Sequence, residues 1–106
     1  MMASHKIKVI FEKTGDMKFI SHLDVMRLFL LSSRRAGLPV SFTQGFSPHL
    51  KISILNALKL GRESTTEEAV FYMDERIEAA VFLSRINKNL PCGMRVTKAE
   101  WEKIDA

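Results

Sequence analysis

The chain predicts an α+β fold in which an antiparallel sheet carries two helices on one of its faces. Three observations predict it. One segment near the start alternates apolar and polar residues with period two, two later segments repeat with helical period and end at glycine or proline stops, and shorter extended runs lie between and after them.

The first strand spans Lys6 to Lys13, where Ile7, Val9 and Phe11 alternate with Lys6, Lys8 and Glu12 and Ile10 blurs the pattern. Thr14-Gly15-Asp16 ends it. A helix start is written at 20–25: Ser21 caps, Asp24 completes a capping box three residues on, and Ile20 staples against Val25. The helix should run to about Ala36, since Gly37 suits the left-handed closing position and Pro39 prevents resumption. At about 100° per residue, Leu23, Val25, Met26, Phe29, Leu30 and Ala36 share one arc, which is expected to face the core. Arg27 and Arg34 lie along its edge, Arg35 turns further toward solvent, and Leu28 and Leu31 fall outside it.

Val40 and Phe42, alternating with Ser41 and Thr43, predict a second strand that breaks at Gly45; Ile52-Ser53-Ile54 resumes extended structure, so an extra hairpin is expected within 40–58. Lys59 to Thr66 reads as a turn, Ala69 to Met73 as a strand, Ile77 to Asn89 as a second helix stopped by Pro91, and Arg95 to Trp101 as the last strand. The order βαββαβ is that of a split βαβ, ferredoxin-like sandwich.

A chain of 106 residues is one domain that closes its core without a staple. Cys92 is its single cysteine, which excludes an internal disulfide, a Cys-rich zinc site and a Cys-ligated iron–sulfur cluster built from this chain alone. No cofactor is therefore expected in the chain itself. No apolar run approaches a membrane span and no leader opens the chain, so a cytoplasmic protein that does not engage a membrane is expected. Sixteen Lys and Arg against twelve Asp and Glu give a formal charge of +4, a modest bias toward an anionic partner.

The candidate site combines the mouth of the first helix, with Ser21, His22 and Asp24, and the stretch QGFSPHLKIS at 44–53, with Gln44, Ser47, His49 and Lys51. The βαβ connection is expected to bring the helix start and this loop to a common edge, the loop lying at the C-terminal end of the second strand. Helix N-termini favour phosphate or carboxylate, and Arg27, Arg35 and Lys51 would reinforce that, so an anion site is the minimum reading. Taken separately, Asp24 serves equally as a plain cap and His49 as a solvated loop residue. Two imidazoles could also exchange protons as acid and base, because an imidazole titrates near neutral pH. A metal held by His22, Asp24, His49 and Glu63 lacks the fixed spacing of a recognised zinc or calcium signature. No GxSxG, P-loop, GxGxxG or RNP pattern occurs, although Phe42, Phe46, Phe71 and Tyr72 are available for stacking on bases. Met17, Met26, Met73 and Met94 read as packing residues.

The segments FEKTGDMKFISHLDVMRLF at 11–29, RRAGLPVSFTQGFSPHLKIS at 34–53 and LKLGRES at 58–64 resemble the DUF2344 family, also called radical SAM-linked proteins. Carried over by position, the resemblance covers Ser21, His22, Asp24, Arg27, Arg35, Gln44, Gly45, Phe46, Pro48, His49, Gly61 and Glu63. The chain departs from it at Leu50, where a second proline is common, and at 56–59, where a proline-bearing small-residue stretch is usual. Domains of that family tend to continue further, so the resemblance implies a short member or the N-terminal part of a longer domain. It also implies a radical SAM protein as partner, which would carry an iron–sulfur cluster and S-adenosylmethionine, and in some lineages an RNase E/G-type ribonuclease.

The leading expectation is an accessory, non-catalytic domain that binds an anionic ligand, RNA first, with Arg27, Arg34, Arg35 and Lys51 on phosphates and His22, His49 and Gln44 on bases or ribose. The rival is an RNA-cleaving or RNA-modifying enzyme using His22, His49 and Asp24. A protein–protein scaffold using Leu28 and Leu31 is the third.

Overall fold

The computed structural model describes residues 5–43, 49–56 and 59–102. Strand β1 (His5–Lys13) leads through a 3-10 turn (Gly15–Phe19) to helix α1 (His22–Arg35); then follow β2 (Ile52–Ile54), β3 (Ser64–Met73), α2 (Ala79–Asn89) and β4 (Met94–Trp101). The strands form one antiparallel sheet in the order β2-β3-β1-β4, a ferredoxin-like sandwich.

Period two decides which side chains meet the helices. Ile7, Val9 and Phe11 of β1, Ala69, Phe71 and Met73 of β3, and Met94 and Val96 of β4 join Val25 and Phe29 of α1 and Phe82 and Ile86 of α2 in one buried cluster. Through it runs a chain of edge-to-face aromatics, Phe11–Phe29 at 5.1 Å, Phe29–Phe71 at 5.2 Å and Phe71–Phe82 at 5.3 Å between ring centres. Such pairs add to the stabilisation from burial alone. The opposite face is mixed, with Ile10 and Val70 among polar side chains and Lys8 bonded to Glu68 at 2.9 Å. Ile10, which blurred the alternation, sits where the β1–β4 register shifts between Ile10 and Phe11.

Helix α1 starts at the expected cap, with the Ser21 hydroxyl accepting the Asp24 N–H at 3.1 Å, although the reciprocal half of the expected capping box is not formed among the described residues. The carboxylate of Asp24 pairs with Arg27 at 3.5 Å. At the other end, Gly37 at φ 66° donates to Arg34 O and Leu38 donates to Ser33 O, the Schellman closure. Helix α2 is held by Asn87, whose amide bonds both Val96 O and Val96 N–H at 2.8 Å. It begins at Ala79, two residues later than its periodicity suggests, because Trp101 Nε1 donates to Ile77 O at 2.7 Å and keeps that carbonyl outside the helix. Before β4, the chain passes so close to the 3-10 turn that a Cβ on Gly93 would stand 2.5 Å from Thr14 O and 2.8 Å from Met17 Cγ. Only glycine fits there, and at φ 94° only glycine is relaxed.

Three expectations need correction. The core face of α1 is rotated: Leu23 is 57% exposed, while Leu28, expected outside, packs against the core and Ser32 and Ser33 are buried. Small side chains on that side suit the approach of α2, and the Ser32 hydroxyl donates to Asn89 O at 3.1 Å. The turn expected over 59–66 is shorter, because β3 begins at Ser64 opposite Lys13. Finally, the second strand expected from Val40 is reduced to isolated bridges at Val40 and Phe42, and regular pairing resumes only in β2. Val40 bridges to Met73, the chain leaves the sheet, and Ile52 resumes pairing opposite Phe71. Ser41, Lys51 and Tyr72 close the junction: Ser41 N–H donates to Tyr72 O, Lys51 N–H to Ser41 O and Tyr72 N–H to Lys51 O, at 2.8–3.1 Å. An edge strand has one side free of ladder bonds, so an excursion there disturbs no second neighbour. The described arms of the excursion, 40–43 and 49–51, face each other with Phe42 opposite Leu50, within the bounds of the expected hairpin.

Candidate functional site

The hairpin leans over α1 and leaves a groove of about 530 Å³ between them. One wall is α1, with Leu23 and Met26, which the core does not use, and Leu30, which also packs against the core; the other is Leu50 and Ile52. Arg27 comes from the same helix, and Thr43, His49, Lys51 and Tyr72 from the hairpin and β3. Among the described residues no carboxylate lines this space. An apolar trough with a few cationic and hydrogen-bonding groups is the usual make-up of a ligand site, and this volume lies in the usual range.

Local bonds position the polar groups. His49 N–H donates to the Thr43 hydroxyl at 2.9 Å and His49 O accepts the Thr43 N–H at 2.8 Å, so the backbone on both sides of the hairpin is fixed where the imidazole leaves it. Lys51 Nζ lies 4.8 Å from the centre of the Tyr72 ring, and Lys6 Nζ lies 5.5 Å from it. Arg34 stacks over Phe42 at 5.4 Å, tying the last turn of α1 to the base of the hairpin. Each such cation–ring contact is worth about 0.5–1 kcal/mol at an exposed site.

The residues predicted from sequence divide into four groups. Arg27, His49 and Lys51 line the groove together. Ser21, His22, Asp24, Arg34 and Arg35 belong to α1 or its cap but are not among the lining residues: Ser21 caps, Asp24 pairs with Arg27, and Arg35 is exposed in the last turn, where a cation suits the helix dipole. His22 is half-buried, and its Nδ1 is buried with no hydrogen-bond partner among the described residues. Glu63 lies elsewhere, accepting the Gly15 N–H at 2.7 Å and lining a different cavity. Gln44 and Ser47, with Gly45, Phe46 and Pro48, lie outside the described residues. Among the described residues no set of three or more His, Cys, Asp and Glu side chains is gathered to hold a metal, and Cys92 is exposed. No described helix is long and apolar enough to cross a membrane.

Sequence reasoning offered Tyr72 as a stacking aromatic but did not place it at this site, and it missed the apolar wall of α1. Tyr72 falls between Phe71 and Met73, both buried, so period two already turned it away from the core. Leu23, Met26, Leu28, Leu30 and Leu31 together exceed what one buried stripe can take, and that surplus was the available signal.

No curated protein and no solved structure matches the chain. A protein-family model does, over residues 6–105, which takes in both walls of the groove and every described strand and helix apart from His5 of β1. The chain belongs to that family, described as uncharacterized protein conserved in bacteria (DUF2344).

Proposed function

We propose that this chain is a cytoplasmic binding domain for single-stranded RNA that serves a radical SAM partner. The observation that carries the RNA reading is the groove itself: leucine, isoleucine and methionine walls beside Tyr72, with Arg27, His49 and Lys51 and, among the described residues, no carboxylate lining it. An unstacked base needs an apolar slot and an aromatic neighbour, and its phosphates need cations a few ångströms away. The open sheet face supports RNA binding less well, since it mixes Lys8, Glu68, Lys98 and Glu100 and its described aromatic, Tyr72, stands beside the groove. The partner half of the reading rests on the resemblance to radical SAM-linked proteins, which also brings an RNase E/G-type ribonuclease into view. The acid–base alternative requires both imidazoles at one reacting group, and His49 but not His22 lines the groove.

Fluorescence anisotropy of a labelled short oligoribonucleotide against a salt series tests this. Binding that falls with log salt at a slope of roughly −0.7 per neutralised phosphate, and a shallower slope for Arg27→Ala with Lys51→Ala, support the reading. Salt-independent binding, or affinity unchanged in the double variant, contradicts it.

A further inference from the structure

Lys13 ends β1 on the face that the apolar residues use. The alternation that buries Ile7, Val9 and Phe11 continues to it, and it is 2% exposed. Its Nζ donates to Ile20 O at 2.8 Å, and no described carboxylate is ion-paired with it. An ammonium has three donors, and taking them from water with one satisfied is costly. The side chain lines a cavity of about 340 Å³, where Lys59 and Arg62 add cations and Ser64 and Thr66 add hydroxyls. Every described residue lining it is polar or charged, and it shares none of them with the groove.

We propose that this cavity is a second binding site and that it takes a sugar phosphate. Lys13 and Arg62 bind the phosphoryl oxygens, Arg62 with the fork geometry that suits them. The carboxylates of Glu63 and Glu67 on the same wall accept hydroxyl donors from the sugar. Among the described residues a base has no apolar surface to rest on here, which separates this site from the groove. The ligand is a free sugar phosphate or the phosphorylated end of a strand.

The test uses the full chain labelled with ¹⁵N and titrated with ribose 5-phosphate, with unphosphorylated ribose, and with an oligoribonucleotide bearing or lacking a 5′-phosphate. Saturable shifts at the amides of Lys13, Ser64 and Thr66 are expected with ribose 5-phosphate and not with ribose. A stronger response to the 5′-phosphorylated strand assigns the strand end as the source, and a stronger response to the sugar phosphate assigns the free form; both carry the proposal. Arg62 is exposed, so Arg62→Ala keeps the fold and should weaken binding about tenfold, the loss expected for a charge-assisted hydrogen bond. Lys13→Met should do at least as much, and because Lys13 also fastens the approach to α1, its reading counts only where the remaining amide spectrum is unchanged. No saturable shift in the wild type, equal binding of ribose, or undiminished affinity in Arg62→Ala overturns the proposal.

Discussion

Helix α1 has two apolar faces with different fates. Val25 and Phe29 are completely buried against the sheet, with Leu28, Ser32 and Ser33 alongside. Leu23 and Met26, with Leu30 at the boundary between the two faces, line an open groove beside Arg27, His49 and Lys51. Burying the first face contributes to holding the domain together, whereas the second leaves apolar surface in water at a cost that folding alone does not recover. Surface of that kind, rimmed by polar groups, marks a place where something else binds. The two faces should therefore respond oppositely to mutation, one in stability and the other in binding.

The largest effect that would sharpen this contrast is Phe29→Ala. It removes the ring that touches both Phe11 and Phe71 and should lower stability by about 3–5 kcal/mol, read by urea unfolding. Across the helix, Arg27→Ala and Lys51→Ala should each weaken RNA binding by about tenfold while stability stays within about 0.5 kcal/mol. If either variant unfolds the protein, or if Phe29→Ala is tolerated, the division of the helix fails. Next comes the cap that sets where both faces begin: Ser21→Ala should cost about 1 kcal/mol in thermal or chemical unfolding. Ser33 sits on the core face with a buried hydroxyl that finds no partner among the described residues, so Ser33→Ala should be neutral or stabilising by up to about 1 kcal/mol. The smallest effect lies on the open sheet face, away from both. There the hydrogen bond to Glu68 raises the pKa of Lys8 above 10.5. A raised folded value means stabilisation that is present below 10.5 and lost as pH climbs through the folded pKa, so the small gap between wild type and Glu68→Gln should hold from neutral pH to about that point and then close.

Much of the fold was legible because its signals are local. The alternation in β1, the Ser21 cap, the Gly37 closure and the Pro91 stop each depend on residues a few positions apart, and each element they mark is present. The facing of α1 was not legible: apolar side chains surround much of that helix, and the choice of the serine side depends on α2, which arrives more than forty residues later. The broken edge strand depends on bonds among Ser41, Lys51 and Tyr72, which are remote in sequence. At the site, spacing singled out the cations Arg27 and Lys51 with His49, since turn formers and helix starts are written locally. It also grouped Glu63 and His22 with them, because sequence alone does not say which end of the sheet a turn reaches. Lys13 could have been found, since the same period-two pattern that named the core placed it there.

The most direct test of the central claim is to map amide and methyl shifts of the labelled protein as a short single-stranded oligoribonucleotide is added. Changes concentrated at Leu23, Met26, Arg27, Leu30, His49 and Lys51, with Val25 and Phe29 still, are the expected result. Changes centred on Lys8, Lys98 and the open sheet face, or no saturable change anywhere, would contradict it.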